Sequence, residues 1–312
     1  MKALVYNKKA LPGKLTFCEI EKPIPNENEV LVKVQAVSLN AADYRSMRMG
    51  LIPKKKIFGA DIAGRVESVG KNILKFKPGD EVIGDLADYG FGGLAEYALA
   101  PEKALIFKPV DLSFEDASAL PMAAVTALQA LRNKGCIQKG HQVLIIGSGG
   151  GVGTFAVQLA KYFGATVTAI CSSKNIGLSQ SLGADHVIDY TKENFLKNGK
   201  SYDLIVAVNG NYPLSACKRI LNPKGIYVMV GGGFPQIFKS LLFGWLMSFG
   251  SKKIRSLAAK SNVEDLEFIV SLVNDKKIRP VIDKCFSLDR SAEAMKYLSE
   301  GHAKGKVVIT VP

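Results

Sequence analysis

Residues 144–153 read LIIGSGGGVG, and this stretch decides the fold. Three apolar residues typical of a buried strand run into a cluster of glycines. A helix is predicted directly behind them, because apolar residues recur there at helical spacing and leave one face to pack on a sheet. These residues are Val152, Phe155, Ala156, Leu159, Ala160 and Phe163. A strand, a glycine-rich turn and a helix in this order predict a doubly wound parallel sheet.

The same turn predicts a nucleotide site. Glycines let the backbone turn tightly and let a pyrophosphate approach the free N–H groups at a helix start. The literal G-x-G-x-x-G spelling is absent because Ser148 holds one position, but the spacing in a strand–turn–helix context is retained. The alternative is a plain glycine turn, which four glycines among five residues disfavour. The candidate phosphate-binding residues are Gly147, Gly150, Gly151, Val152 and Gly153.

The end of the next strand indicates which dinucleotide binds. An NAD site usually places Asp or Glu there, whereas this chain has Ser172, Ser173 and Lys174. No carboxylate occurs between Asp116 and Asp185, so we expect no acidic neighbour at this turn. Two hydroxyls and an ammonium suit a 2′-phosphate, and the sequence therefore predicts NADPH as cofactor. The alternative is that Lys174 is a solvated loop lysine.

Working outward, the chain divides into two kinds of pattern. The first hundred residues read as short strands without amphipathic helices, which predicts a mostly antiparallel, barrel-like unit. Strands and helices alternate after it, as a parallel sheet requires. The tail again reads strand, helix, strand, and we expect it to pack on the first domain. The predicted domains are 1–112 completed by 276–312, and 113–275.

Length and composition exclude several classes of protein. The 312 residues suffice for two domains, and no apolar run approaches the roughly 18 to 20 residues of a membrane-spanning helix. The opening MKALVYNKKALPGK lacks the apolar core of a secretory signal, and five scattered cysteines fit reduced thiols, so we expect a cytoplasmic protein. The net charge is +13, but the sequence shows no basic stripe interleaved with aromatics, so we expect no nucleic-acid binding.

One segment keeps several interpretations open. Residues 237–249, IFKSLLFGWLMSF, are mostly apolar and hold the only tryptophan. They are too short to span a bilayer. A buried helix near a pocket mouth is favoured over a substrate lid, a dimer contact and an interfacial helix that would make a peripheral membrane contact.

Several long motifs in order resemble the medium-chain dehydrogenase/reductase superfamily, in particular its zinc-free quinone oxidoreductase-like branch. The motifs include SLNAADYRSMRMG, FGADIAGRVESVG, FKPGDEVIGD, LPMAAVTALQAL, SLGADHVIDY and GHAKGKVVITV, besides the glycine turn. The resemblance implies an α/β fold in which a GroES-like β-barrel domain, completed by the C-terminal segment, accompanies a Rossmann domain. It also implies a homodimer formed through the Rossmann sheet edge.

The resemblance implies that the protein uses no metal. Zinc-dependent relatives carry ligands at positions where this chain has Asn40, Ala60 and Met122, and Asp61 alone retains an acidic group there. The three histidines are scattered without the spacing of zinc ligands. A simple alcohol needs a Lewis acid or a strong base during hydride transfer, whereas a quinone or an α,β-unsaturated carbonyl accepts hydride without one.

The implied function is a metal-free, NADPH-dependent reductase of quinones or of enones and alkenals. The enzyme alternatives are a metal-free alcohol dehydrogenase and an enoyl-thioester reductase of the same fold. The alternative without catalysis is a dinucleotide-sensing binding protein.

The resemblance also assigns residues to the site. Asn40, Asp43 and Arg45 match positions that line the nicotinamide and substrate pocket, and Tyr44 is a candidate proton donor. Further cofactor contacts fall at Thr126, Tyr190, Asn209, Gly210, Gly231 and Gly232. Structural explanations compete with these roles: Asn40 can satisfy backbone groups in a turn, Asp43 can cap a helix with Arg45 as its ion pair, and Tyr190 can be half-buried packing.

Overall fold

The computed structural model describes residues 1–7, 15–209, 212–231 and 250–312. Two compact units result, with the bounds Met1–Val125, Ser261–Asn274 and Pro280–Pro312 for the first, and Thr126–Lys260 and Asp275–Arg279 for the second. Compared with the predicted domains, the first unit also takes residues 113–125 and most of 261–275. The predicted apolar segment 237–249, with Gly210 and Gly232, lies outside the described residues.

The described strands are numbered in chain order. They are β1 (Lys2–Tyr6), β2 (Leu15–Glu19), β3 (Glu29–Leu39), β4 (Asp61–Val69), β5 (Glu81–Asp85), β6 (Tyr97–Pro101), β7 (Leu105–Phe107), β8 (Gln142–Ile146), β9 (Thr166–Cys171), β10 (His186–Asp189), β11 (Tyr202–Ala207), β12 (Leu221–Met229), β13 (Lys253–Ser256), β14 (Ile282–Ser287) and β15 (Lys306–Thr310).

The described helices are numbered in the same way. They are α1 (Ala41–Arg48), α2 (Phe114–Ser118), α3 (Pro121–Leu128), α4 (Gly151–Tyr162), α5 (Ile176–Ser181), α6 (Leu214–Arg219), α7 (Val263–Asn274) and α8 (Ser291–Ser299). A π-helical turn, Gln129–Lys134, continues α3, and a short 3-10 turn, Ser173–Asn175, precedes α5.

A mostly antiparallel sheet forms the first unit. Its strand order is β14-β15-β3-β4-β5-β7, and β6 also pairs with β3. The long strand β3 is central because it pairs with β4, β6 and β15. The C-terminal strand β15 lies antiparallel to β3 with Val308 opposite Ser38, so the end of the chain builds this sheet. The core is aliphatic and aromatic, with Val32, Phe58 and Ile62 fully buried.

A six-stranded parallel sheet forms the second unit. Its order is β10-β9-β8-β11-β12-β13, and every neighbouring pair is parallel. Counted from β8, this is the order 3-2-1-4-5-6 of dinucleotide-binding folds. The central strands β8, β9 and β11 are buried along nearly their whole length, as the apolar runs predict, and α4 packs its buried face on β8 and β9.

The predicted fold class, an α/β chain with an antiparallel barrel-like unit and a Rossmann doubly wound parallel sheet, is confirmed. The glycine turn lies between β8 and α4, as residues 144–153 predict. Among the described residues, no helix is both long and apolar enough to cross a membrane.

Candidate functional site

The turn between β8 and α4 has a backbone that only glycine fits. Gly147 has φ +85°, in the left-handed region that favours glycine. The N–H groups of Gly147 and Ser148 both donate to the carbonyl of Ile170 on β9, each at 3.1 Å, which ties the turn to the neighbouring strand. A Cβ on Gly153 would lie 2.1 Å from the carbonyl oxygen of Gly147, so that position excludes every larger residue.

Gly150 shows where a ligand fits. It is the N-cap of α4, makes no side-chain cap hydrogen bond, and has φ −90° and ψ 176°, which any residue can adopt. Among the residues that the structure describes, a Cβ there would meet no atom nearer than 3.9 Å. The absence of a side chain at Gly150 is therefore not required by packing. It leaves the start of α4 open to an anion, and the residues of this turn fit a dinucleotide pyrophosphate.

Ser148, the departure from the literal glycine motif, lies under the turn. Its side chain is fully buried, its hydroxyl lies 2.9 Å from the Ser179 hydroxyl of α5, and it donates to the Ile170 carbonyl at 3.3 Å. The serine therefore fastens the turn from below and leaves the ligand side unchanged.

Most predicted cofactor residues lie at one edge of the parallel sheet. Gly147, Ser172, Tyr190, Asn209 and Gly231 follow the carboxyl ends of β8, β9, β10, β11 and β12. The N–H of Tyr190 donates to the Cys171 carbonyl at 3.1 Å, and its ring is 52% exposed rather than packed. Ligands bind at this edge in doubly wound sheets.

Thr126 lies elsewhere in the chain, on α3, and is 9% exposed. It belongs to the second unit, as do the strand-end residues. Its role as a cofactor contact stays a prediction.

The turn after β9 has an acidic neighbour that the sequence argument missed. The hydroxyl of Ser173 donates to a carboxylate oxygen of Asp189, the last residue of β10. The expectation of a turn without a carboxylate is therefore wrong. Asp189 lies beyond the stretch from Asp116 to Asp185 that contains no carboxylate. It comes close to Ser173 because β10 and β9 are parallel and pair Asp189 with Cys171. Tyr190, the residue after Asp189 and a predicted cofactor contact, was the signal that pointed to this strand end.

Lys174 differs from Ser173 in its surroundings. It is exposed in the 3-10 turn, and within the described ranges it forms no ion pair. Its ammonium is therefore available to a phosphate, as the sequence predicts.

A buried polar cluster, Asn40–Asp61–Lys306, occupies the first unit. The Lys306 ammonium donates to the Asn40 amide oxygen at 2.6 Å and lies 3.5 Å from Asp61 Oδ2. The Asn40 amide nitrogen donates to the same Asp61 oxygen at 2.8 Å. The other Asp61 oxygen accepts the Met122 N–H at 3.0 Å. Both polar ends of the Asn40 side chain are therefore held by charged partners.

The cluster shifts the pKa values of its groups. Burial raises the pKa of Asp61, and the neighbouring Lys306 ammonium opposes that rise. Burial lowers the pKa of Lys306, against the attraction of Asp61. A lysine in a C-terminal strand usually points to solvent, so the sequence does not predict a role for Lys306 in this cluster.

Two further carboxylates lie near this cluster. Asp43 is fully buried in α1 and accepts the N–H groups of Asn40 at 2.7 Å and Gly59 at 2.9 Å, so it caps the helix. Burial raises the pKa of Asp43 to about 6. Asp85 faces Asp61 across the β4–β5 ladder, and burial raises the pKa of Asp85 to about 7.

The other predicted catalytic residues lie on α1. Tyr44 and Arg45 are both partly exposed, and the guanidinium groups of Arg45 and Arg48 lie 5.9 and 5.3 Å from the centre of the Tyr44 ring. Arg45 is therefore placed beside Tyr44, and the cap of the helix is made by Asp43.

Comparison with known proteins identifies the family. A family model described as "Alcohol dehydrogenase GroES-like domain" matches residues 26–110, and one described as "Zinc-binding dehydrogenase" matches residues 182–309. The chain is 37% identical over 309 residues to a protein named "Quinone-oxidoreductase QR1, chloroplastic" from Triphysaria versicolor, which covers 95% of this chain and 93% of that protein.

Two further relatives agree. The chain is 33% identical over 328 residues to an "NADPH-dependent alkenal/one oxidoreductase, chloroplastic" from Arabidopsis thaliana, covering 99% of this chain and 79% of that protein. A solved structure of the quinone oxidoreductase from Coxiella burnetii superposes with a TM-score of 0.90 at 30% identity, covering 100% and 99% of the two chains.

Fold and matches together define an oxidoreductase of the alcohol dehydrogenase type. The chain belongs to the medium-chain dehydrogenase/reductase superfamily, in its zinc-free quinone oxidoreductase-like branch, and the predicted resemblance is confirmed.

The name of one matching family refers to zinc, but the residues here do not fit that metal. At the positions matching the ligands stand an amide, Asn40, and two residues without a nitrogen or thiolate donor, Ala60 and Met122. The remaining acid, Asp61, already faces the Lys306 ammonium. In the part of the chain that the structure describes, no three His, Cys, Asp or Glu side chains converge as a metal site.

Proposed function

We propose that this oxidoreductase is a metal-free, NADPH-dependent reductase of quinones or of α,β-unsaturated carbonyls. The observation that carries the proposal is the open N-cap at Gly150, where a Cβ would meet no atom of the described residues nearer than 3.9 Å. The named relatives support the substrate class, since they include quinone oxidoreductases and an alkenal/one oxidoreductase.

The proposed residues hold the two ends of the cofactor. The turn containing Gly147, Gly150 and Gly153 receives the pyrophosphate, because its backbone N–H groups lie at the helix start. The Lys174 ammonium and the Ser172 hydroxyl meet the 2′-phosphate. The exposed ring of Tyr190 stacks on the adenine, and Thr126 and Asn209 contact the remainder.

The substrate chemistry needs only weak donors. When bound, NADPH would supply the hydride that the electron-poor carbon of the acceptor receives. The acceptor's π electrons then reside on its oxygen, where resonance spreads the charge. Asn40, Tyr44 and Arg45 are the proposed substrate-lining residues. The Tyr44 hydroxyl or a water delivers the proton that completes the reduction.

A Gly150→Ala variant tests the cofactor cradle. The new methyl group meets no atom of the described residues nearer than 3.9 Å, so folding is preserved, but it occupies the space of the phosphate. We expect NADPH binding, followed by fluorescence titration, to weaken at least about tenfold. Gly177→Ala is the matched control, because Gly177 lies in α5 with nothing within 4 Å of its Cβ position. Unchanged binding in Gly150→Ala would contradict the proposed cradle.

The substrate class is tested by turnover. NADPH oxidation is measured with a panel of quinones, alkenals, enoyl thioesters and alcohols, each with and without a chelator. We expect reduction of quinones or alkenals that the chelator leaves unchanged. Loss of activity with the chelator would contradict the metal-free mechanism, and tight NADPH binding without any turnover would favour a dinucleotide sensor.

Cofactor choice is tested at Lys174. A Lys174→Glu variant should raise the KM for NADPH far more than the KM for NADH, because the glutamate repels the extra phosphate. Lys200→Glu, at an exposed lysine elsewhere in the same unit, carries the same change of charge as a control. Equal effects on both cofactors would remove Lys174 from the phosphate site.

A cytoplasmic homodimer completes the proposal. The family resemblance supports the dimer, and five free cysteines, two of them exposed, fit a reducing compartment. Sedimentation should give the mass of two chains, and a monomer at micromolar concentration would contradict it. Imaging of a fluorescent fusion tests the compartment.

A further inference from the structure

We propose that Asp189 is a specificity-determining residue that limits the preference for NADPH and keeps NADH usable, by holding the Ser173 hydroxyl and its own negative charge beside the 2′-position. This inference rests on the proposed dinucleotide site. It concerns only the second unit, where β9 and β10 end side by side.

The carboxylate of Asp189 is held by three donors. The Ser173 hydroxyl donates to one oxygen. The hydroxyl and the N–H of Thr191 donate to the other, at 2.7 and 2.9 Å. The hydrogen bond from Ser173 is the main cause that lowers the pKa of Asp189, so this carboxylate is ionised at neutral pH. The residue is 8% exposed, so its position is set by these neighbours.

The hydroxyl of Ser173 has a single proton, and it donates that proton in its hydrogen bond to Asp189. Ser173 itself is exposed. Toward a ligand it therefore presents only lone pairs, which can accept a hydrogen bond from a ribose 2′-hydroxyl. Ser173 has no proton left to donate to the oxygens of a phosphate. It therefore favours the 2′-hydroxyl of NADH over the 2′-phosphate of NADPH.

Charge acts in the same direction. Lys174 attracts a 2′-phosphate, whereas Asp189 places a negative charge at the adjoining strand end. Lys192, 3.9 Å away and the only cation near Asp189 among the described residues, neutralises that charge in part. The attraction of Lys174 for the 2′-phosphate is thereby reduced. The protein then binds NADPH more tightly than NADH but does not exclude NADH.

The test compares dissociation constants of NADPH and NADH for the wild-type enzyme, Asp189→Asn and Thr191→Val at constant ionic strength. Asparagine removes the charge, and its single amide oxygen can accept from either Thr191 or Ser173 but not from both. We expect Asp189→Asn to tighten NADPH by about threefold to tenfold and to change NADH less than twofold. Thr191→Val is the matched control: it removes one hydrogen bond to Asp189 and keeps the carboxylate and its bond to Ser173, so the ratio should stay as in wild type.

Ser173→Ala guards against a folding defect in Asp189→Asn. Loss of the hydroxyl should weaken NADH about twofold to fivefold and leave NADPH unchanged or tighter, because a single hydrogen bond to the ribose is lost. Binding of 2′,5′-ADP and 5′-AMP to the same variants repeats the comparison without any catalytic readout.

Three results would overturn the inference. Equal weakening of both cofactors in Asp189→Asn would mean that the carboxylate only shapes the turn. Selective weakening of NADPH would mean that it organises the phosphate site. A ratio in Thr191→Val that matches Asp189→Asn would assign the effect to turn structure. Failure of the proposed function is distinguishable, because then the wild-type protein would bind neither dinucleotide.

Discussion

The glycine turn of the second unit and the Asn40–Asp61–Lys306 cluster of the first are built in opposite ways. The turn comes from one continuous stretch, residues 144–153, and works by leaving side chains out. The cluster joins residues from β3's end, β4 and β15, and works by burying a lysine against a carboxylate. A local device can be recognised in sequence, whereas a device assembled across the chain needs the sheet that brings its parts together.

The two regions also differ in their energetics. At the turn, steric contact between Gly153 and the Gly147 carbonyl sets the requirement. In the cluster, Lys306 and Asp61 have lost their hydration, and their mutual attraction, the Asn40 amide and hydrogen bonds to neighbouring groups such as the Met122 N–H offset that cost. Loss of one partner in the cluster should therefore be more harmful than one added methyl group in the turn.

Lys306→Met carries the largest expected effect. It leaves the Asp61 carboxylate buried without its cation, and we expect a loss of about 3 to 5 kcal/mol in the free energy of unfolding. Urea denaturation followed by circular dichroism measures it. Lys304→Met, at an exposed lysine of the same segment, is the control and should change stability by less than about 0.5 kcal/mol. A Lys306→Met protein as stable as that control would show that the ion pair makes no net contribution to the free energy of unfolding.

Gly153→Ala is the corresponding test of the turn. The methyl group would lie 2.1 Å from a backbone oxygen, so the turn or the start of α4 must shift. We expect a loss of about 1 to 3 kcal/mol in stability, as for other overpacked sites, together with loss of NADPH binding. Thermal unfolding and cofactor titration measure the two effects. Gly177→Ala, in open space on α5, should leave both unchanged or add a few tenths of a kcal/mol.

The pH dependence of stability sharpens the contrast, since Asp43 and Asp85, whose pKa values burial raises to about 6 and about 7, both belong to the first unit. Asp85 has a pKa of about 7 in the folded protein because of burial, so the folded state binds its proton more tightly than the unfolded chain. Stability should therefore fall as pH rises from about 4 to about 7, by the proton-linkage relation.

Asp85→Asn should remove much of that fall. Its amide oxygen can still accept the Ala87 N–H, so the fold is kept while the charge is lost. We expect the variant to be more stable than wild type at pH 8 by on the order of 1 to 2 kcal/mol and closer to it at pH 5. Urea midpoints at both pH values measure the difference. Asp275→Asn, an exposed carboxylate of the other unit, serves as the comparison, and parallel pH curves for wild type and Asp85→Asn would contradict the assignment.

Particular residues show how far the sequence could be interpreted. The turn at Gly147, Gly150 and Gly153 was predicted, because a glycine-rich stretch between a strand and a helix indicates a tight backbone turn. The parallel sheet was predicted from the alternation of strands and helices. Asp189 was missed because it is close to Ser173 only through the pairing of β9 and β10.

The sequence by itself determined the two-part architecture, the family and the position of the dinucleotide turn, because hydrophobic period and glycine spacing are local properties of a chain. The tertiary structure alone decided that Lys306 donates a hydrogen bond to Asn40 and that Ser173 donates one to Asp189. Those contacts are set by strand pairing between segments distant along the chain. Local pattern does not encode which side chains that pairing brings within hydrogen-bond distance.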